Sequence, residues 1–187
     1  MRRAERVDVV GKRLRLRELT DADSAALLAV YGDSDATRYM PFEPRTPEQV
    51  DAIIEAAIGD AAEDPRLVYA MAVTDIDTGE VIGVARLSIE RDHPHSAEIG
   101  VGLRPDHWGR GLGTELVRLA LRLGFAELGL HRVWGARAPE NSGAQLAMLT
   151  AGMVEEGRIR HHVPVRNGWR DSIVHSILEH EWNPGLG

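Results

Sequence analysis

The chain has 187 residues, 43% of them hydrophobic, enough for one well-filled core. Cysteine is absent, which excludes a disulfide framework, a thiolate nucleophile and a thiolate metal site. A formal net charge of -7 argues against a dedicated nucleic-acid binder.

No apolar run approaches the roughly 18 residues of a membrane helix, and the basic start "MRRAERVDVV" does not read as a signal peptide. One cytoplasmic domain with no membrane or nucleic-acid partner is expected. In chain order, "RLRLREL" (13–19) reads as a first strand, Leu14, Leu16 and Leu19 being set among arginines. Thr20 then opens a helix, "DADSAALLAVY", its hydroxyl placed to cap free amides and Asp21 and Asp23 at the positive end. After a loop with Pro41 and Pro44 come Thr46, Pro47 and Gln49: a cap, a first-turn proline and a capping-box glutamine. That helix is predicted to reach Ile58, with Gly59 beyond it. "LVYAMAVTD" (67–75) and "EVIGVARLSIE" (80–90) are strand-like and joined by the turn "DTGE". "AEIGVGLRP" (97–105) adds a third strand, which Pro105 stops. A helix is predicted from Gly111 to Phe125, a strand at 132–138 and a helix at 141–153. The remainder reads as a hairpin about Asn167-Gly168.

This order predicts an α/β domain, largely antiparallel in its first half, with a strand–helix–strand unit over 97–138. A dinucleotide fold is not matched, because the glycines lack GxGxxG spacing. "HWGRGLGTEL" (107–116) sets three glycines in five positions just before an apolar helix. One reading is a tight turn in which glycine relieves strain. The other is an anion cradle, where turn amides and the first helical amides converge on a phosphate with Arg110 beside it. Gly100 and Gly102 within a strand point to a kink or to a close backbone approach; a splay from "RVWGARA" would free main-chain groups for an extended ligand.

The sequence resembles the GCN5-related N-acetyltransferase (GNAT) superfamily, nearest its ribosomal-protein N-terminal acetyltransferase-like (RimJ/RimL-like) branch. The superfamily's pyrophosphate loop, Gln/Arg-x-x-Gly-x-Gly/Ala, corresponds to Trp108, Gly109, Arg110, Gly111, Leu112 and Gly113, with Trp108 departing at the first position as "YWGRG"-like members do. "HRVWGARAPENSGAQLAMLTAGMVEEGRIR" resembles the branch's Asn-x-x-Ser stretch, with Asn141 in the asparagine slot, Ala144 where serine is common and Met153 for phenylalanine. The resemblance implies a single-domain GNAT fold over 12–182, with 1–11 and 183–187 as terminal extensions. Its mixed central sheet would be largely antiparallel, with a splayed parallel strand pair, flanked by helices.

It also implies acetyl-CoA as co-substrate, with the pyrophosphate on amides of Gly109, Arg110, Gly111, Leu112, Gly113 and Thr114 under Trp108. The pantetheine would lie beside Gly100, Val101, Gly102 and Leu103, with Asn141 reaching it. The reaction would be direct acetyl transfer to a primary amine, a protein or peptide N-terminal α-amine in the first instance. A polyamine, amino sugar or antibiotic is the alternative, as is a non-catalytic acetyl-CoA sensor. Glu98, on the strand entering the cleft, is the candidate base and Ser142 a candidate hydroxyl near the sulfur. The superfamily's usual acid, a tyrosine, is replaced by Met148, which has no proton to give. Asp33, Asp35 and Glu43 make the acceptor loop acidic and suited to a cationic amine. His93 or His95 would line the acceptor pocket or lie in an exposed loop; neither that pair nor His161 and His162 is expected to hold a metal. Trp169 would border the acceptor groove, and a homodimer fits the branch.

Overall fold

The computed structural model describes residues 6–166 and 168–186. Among them, strands β1 (Asp8–Val10), β2 (Leu14–Glu18), β3 (Val68–Asp75), β4 (Val81–Glu90), β5 (His93–Leu103), β6 (Arg132–Arg137), β7 (Val154–Val165) and β8 (Gly168–Leu178) form one sheet. Its order is β1-β2-β3-β4-β5-β6-β8-β7. β5 and β6 pair in parallel and every other neighbouring pair is antiparallel. Helices α1 (Ser24–Tyr31), α2 (Ser34–Thr37), α3 (Pro47–Ala62), α4 (Leu112–Arg122) and α5 (Ser142–Thr150) flank the sheet. The architecture is the mixed α/β sheet anticipated above, mostly antiparallel with one parallel pair.

Two apolar layers hold it. On one face, Leu116, Val117 and Leu119 of α4 and Met148 of α5 pack on Leu87, Ile99, Val133 and Ile177. On the other, Leu27 and Val30 of α1 and Val50 and Ile54 of α3 pack on Ala72 and Val84. β4 is therefore covered on both sides, which explains its nearly unbroken apolar run. β7 is exposed along almost its whole length and closes the far edge.

Several boundaries differ from the sequence reading, each for a local reason. The stretch set aside as an N-terminal extension contributes β1, which pairs with β2 and is anchored by buried Val7 and Val9. Thr20 caps the helical start as read, in a capping box with Asp23, whose carboxylate accepts the Thr20 N–H and hydroxyl and a two-pronged contact from Arg17. α3 runs through Gly59 to Ala62, because glycine in a helix costs only about 1 kcal/mol relative to alanine and does not stop it. Its start is as read, with Thr46 and Gln49 capping one another. β5 begins at His93, so "RDHPHSAEIG" is mostly strand rather than loop. α4 passes into a π-helical segment, Leu123–Glu127. Both arms of the late hairpin are present; Asn167, at its predicted turn, lies outside the described residues.

Candidate active site

β5 and β6 stay paired only from Ser96↔Arg132 to Glu98↔Trp134. Beyond that point β5 remains on β4 as far as Leu103, and β6 remains on β8 as far as Arg137. The two strands thus part, and the opening between them starts at Gly135. A β-carbon there would stand 3.2 Å from the Ile99 carbonyl oxygen and 3.2 Å from Met148 Cε. The Arg104 N–H donates across to Ile82 O on β4, 2.9 Å away. Alternation then turns the main-chain groups of Gly102 and Gly100 toward β4, and those of Val101 and Leu103 toward the opening. The Leu103 carbonyl is met there by the Trp108 indole N–H at 2.9 Å.

The glycine loop stands beside this opening. Gly109 and Gly111 have φ of 72° and 74°, a left-handed conformation that L side chains rarely adopt. Leu112, the first residue of α4, is buried, so only its main chain faces outward. Gly113 sits 3.7 Å, by its would-be β-carbon, from Ala147 of α5. The loop is clamped from the chain's other end. Glu115 accepts from the Arg13 and Leu14 amides at 2.7 and 3.1 Å and from Arg13 Nε at 2.9 Å, while Arg13 Nη1 donates to Arg110 O at 2.8 Å. Gly11 leaves room for that carboxylate: a β-carbon there would stand 2.8 Å from Glu115 Oε1. A cavity of about 280 Å³ opens against the loop, lined by Lys12, Arg13, Gly111, Thr114, Glu115 and Arg118. Arg118 donates to Thr150 O at 3.1 Å, and its buried Nε has no partner among the described residues. The sequence reading missed Gly11, Lys12, Arg13 and Arg118. Arg118 was legible in hindsight, seven positions after Gly111 on the same helix, but the other three arrive from about 100 residues away.

At the start of α5, Asn141 Oδ1 accepts from the Ala144 N–H at 3.0 Å and so caps the helix, leaving its amide donors for other use. Ser142 is exposed in the first turn, and Met148 is buried in the core against Gly135.

Glu98 shares with Gly100 and Gly102 the sheet face covered by α1, because a side chain at Gly102 would point at Val30, Val84 and Met40. Ser88 and Trp134 lie beside Glu98 in register, and Ser176 lies beyond Trp134. The Glu98 carboxyl makes no hydrogen bond among the described residues. It keeps solvent access, yet the surrounding protein strips enough water from it to push it above the usual carboxylate range; Arg86 and His162 pull it down and Glu90 pushes it further up. His162, whose Nδ1 lies 3.0 Å from Ser172 Oγ, is thus the histidine brought toward Glu98. His93 lies instead 3.6 Å from Glu90, and His95 is bonded through its carbonyl to His131 N–H. Trp134 is half-buried and donates to Glu90 at 2.7 Å.

A second groove, of about 680 Å³, runs between the 34–44 segment and the β7–β8 hairpin. Met40 forms part of its wall and also packs on β5, its Cε 2.7 Å from where a β-carbon on Gly102 would stand. Here the electrostatic expectation is reversed. Asp33 accepts from the Asp35 and Ala36 amides at 2.8 Å and so caps α2, and Asp35 is paired with Arg38 at 2.5 Å. Glu43 remains as the carboxylate of a wall that carries Arg38, Arg166 and Arg170. Trp169 is exposed on the neighbouring hairpin arm.

Residues 13–154 match the family model described as "Acetyltransferase (GNAT) domain". The uncharacterized N-acetyltransferase YnaD of Bacillus subtilis is 30% identical over 94% of this chain and 99% of its own. The [ribosomal protein uS5]-alanine N-acetyltransferase of Escherichia coli is 31% identical over 59% of this chain and 58% of its own. The crystal structure of spermidine N-acetyltransferase from Vibrio cholerae, in complex with CoA and spermine, superposes with a TM-score of 0.79 at 25% identity, covering 91% of this chain and 98% of that one. With the splayed strand pair, the glycine loop at a helix start and a family match spanning most of its length, the chain belongs to the GNAT acetyltransferase family.

Proposed function

We propose that this chain transfers the acetyl group of acetyl-CoA directly to a primary amine, a peptide or protein N-terminal α-amine in the first instance, as in the ribosomal-protein N-terminal acetyltransferase-like branch. The observation that carries the reading is the opening between β5 and β6 beside the glycine loop. The residues present fit the co-substrate. Two left-handed glycines precede a helix whose first amides are unspent, and the adjoining cavity is walled by Lys12, Arg13 and an Arg118 with an orphaned Nε. Gly109 to Thr114 would hold the pyrophosphate, with those three cations adding charge, and the free edge of β5 would hold the pantetheine amides.

Acetyl-CoA, when bound, supplies an activated acetyl thioester. Glu98 accepts the proton that the ammonium form of the acceptor must lose, directly or through water. The Val101 and Leu103 N–H groups face the opening as donors for a developing oxyanion. Ser142 offers a hydroxyl at the start of α5; Met148 offers no proton, so the thiolate leaves without a tyrosine acid. The arginines of the second groove favour an α-amine over a polyamine, whose charge they would repel.

Calorimetric titration with acetyl-CoA tests the reading, with free CoA and a nucleotide lacking pantetheine as controls. Micromolar binding that requires the pantetheine arm is expected. Gly111→Val, which puts a β-branched side chain at φ 74°, is expected to weaken it at least tenfold with the far-UV circular dichroism unchanged. A folded sample that binds no acetyl-CoA would overturn the assignment.

A further inference from the structure

We propose that the acceptor carries a carboxylate as well as its amine, and that Arg170, with Arg166, receives that carboxylate in the groove between the 34–44 segment and the β7–β8 hairpin. The inference rests on the acetyltransferase reading and narrows its substrate. Four observations carry it. First, the groove adjoins the transfer site: Met40 is at once its wall and the residue seated on Gly102 of β5. Second, alternation along β8 puts Arg170 on the same side as Ser172 and Ser176, and Ser176, Trp134 and Glu98 lie side by side across three strands. The proposed base and the proposed anchor therefore share one face of the sheet.

Third, the charges on the wall are unequally spent. Arg38 is neutralised by Asp35. Neither Arg166 nor Arg170 has a carboxylate partner among the described residues. Arg170 makes one long contact, Nη1 to Met40 O at 3.4 Å, and its Nε is buried with no partner. Fourth, Arg170 is partly withdrawn from water, and that desolvation lowers its affinity for a proton against the pull of Glu140. A guanidinium taken out of water costs free energy unless an anion completes it, and carboxylate is an anion its planar fork fits bidentately. About 680 Å³ holds an amino acid or a few residues of a peptide. Phe42, stacked under Arg45 at 4.4 Å and edge-on to Tyr31 at 5.5 Å, gives the groove a firm apolar side. A polyamine has nothing to offer two unspent arginines.

The carboxylate could belong to a free amino acid or to an acidic side chain near a peptide N-terminus. The test uses both sources with matched neutral partners: amino acids against their amides, and C-terminally amidated peptides with Asp against Asn at the second or third position, spermidine being the cationic control. Thiol release from acetyl-CoA gives kcat/KM, and calorimetry on the CoA-loaded protein gives acceptor affinity. At least one acid-bearing series is expected to exceed its neutral partner by about tenfold or more in either measure, and the series that does so identifies the source. Arg170→Gln should collapse the ratio toward unity while acetyl-CoA affinity is retained. Arg166→Glu, an exposed substitution that spares the fold, should shrink or invert it. Equal handling of acids and neutral partners, a preference for spermidine, a ratio untouched by both variants, or no acid-bearing amine binding at all would overturn the assignment while leaving acetyl-CoA binding intact. Loss of acetyl-CoA binding by the parent protein would instead overturn the reading beneath it.

Discussion

At the residue scale the proposed chemistry rests on Glu98. Its carboxyl is raised by desolvation, so it holds a proton to higher pH than a free glutamate and is better matched to removing one from an amine. Glu98→Gln is expected to lower kcat by about a hundredfold or more while acetyl-CoA affinity is unchanged. The acidic limb of the parent's pH–rate profile should lie above the ordinary glutamate value of 4.5, since the base works only once deprotonated, and the variant should lose it. Ser142→Ala separates the two candidates: an exposed hydroxyl with no partner among the described residues should matter far less than Glu98, and a comparable loss of kcat would make Ser142 the acid. Met148 has no such test, because its side chain fills the core beside Gly135 rather than the cleft.

At the scale of elements, the loop before α4 owes its shape to a clamp between distant parts of the chain. Glu115 takes two amides of the β1–β2 connection and one guanidinium, and Arg13 returns a bond to Arg110 O. Glu115→Ala leaves the part-buried Leu14 amide without its acceptor, which costs about 1 kcal/mol of stability, while the exposed Arg13 amide turns to water. The same change should weaken acetyl-CoA binding by about tenfold, because the left-handed turn loses its tether; chemical denaturation and calorimetry read the two effects separately. Burial works against the Glu115 charge, but the Arg13 amide and guanidinium and the Leu14 amide outweigh it and hold the carboxyl below its ordinary range. The clamp therefore contributes stability that is complete above about pH 4.5 and fades as pH falls through the lower, folded-state value.

Across the whole molecule, a buried ion and a buried imidazole tie β6, β7 and β8 together. Arg137 Nε donates to His175 Nε2 at 3.0 Å, and Arg137 Nη2 reaches Glu155 at 3.2 Å. His175 is fully buried, its proton is left on Nδ1, and that atom has no partner among the described residues. Burial first, then the Arg137 charge, push His175 down against the pull of Glu155, so the folded protein keeps it neutral. The unfolded chain binds that proton from about pH 6.5 downward, so stability present above this pH is lost as pH falls toward the lower, folded-state value. The slope contributed is at most about 1.4 kcal/mol per pH unit. Melting temperatures at pH 7.5 and 5.5 should therefore differ more for the parent than for His175→Gln, whose amide oxygen still accepts from Arg137. An equal drop in both would remove His175 from the account.

Local signals in the chain were sufficient for the α/β class, for most elements and for the glycine loop, because they are written in neighbouring residues: alternation in β2, the Thr46–Gln49 cap, and Gly109 and Gly111 ahead of an apolar helix. The roles proposed for Glu98 and Asn141 came from the family resemblance rather than from such a signal, and Glu98→Gln tests the first of them. What required tertiary structure was every feature made by residues far apart in sequence. Lys12 and Arg13 reach the loop only because β1 and β2 pack against α4. Gly135 matters only because β5 and β6 part beside it. The acidic look of the 33–43 loop misled because charge in a sequence says nothing of where it is spent: Asp33 caps a helix, Asp35 holds Arg38, and the hairpin's Arg166 and Arg170 cross from the other end of the chain to set the sign of the groove. Composition determined how much charge the molecule carries; folding decided which charges remained free to meet a ligand.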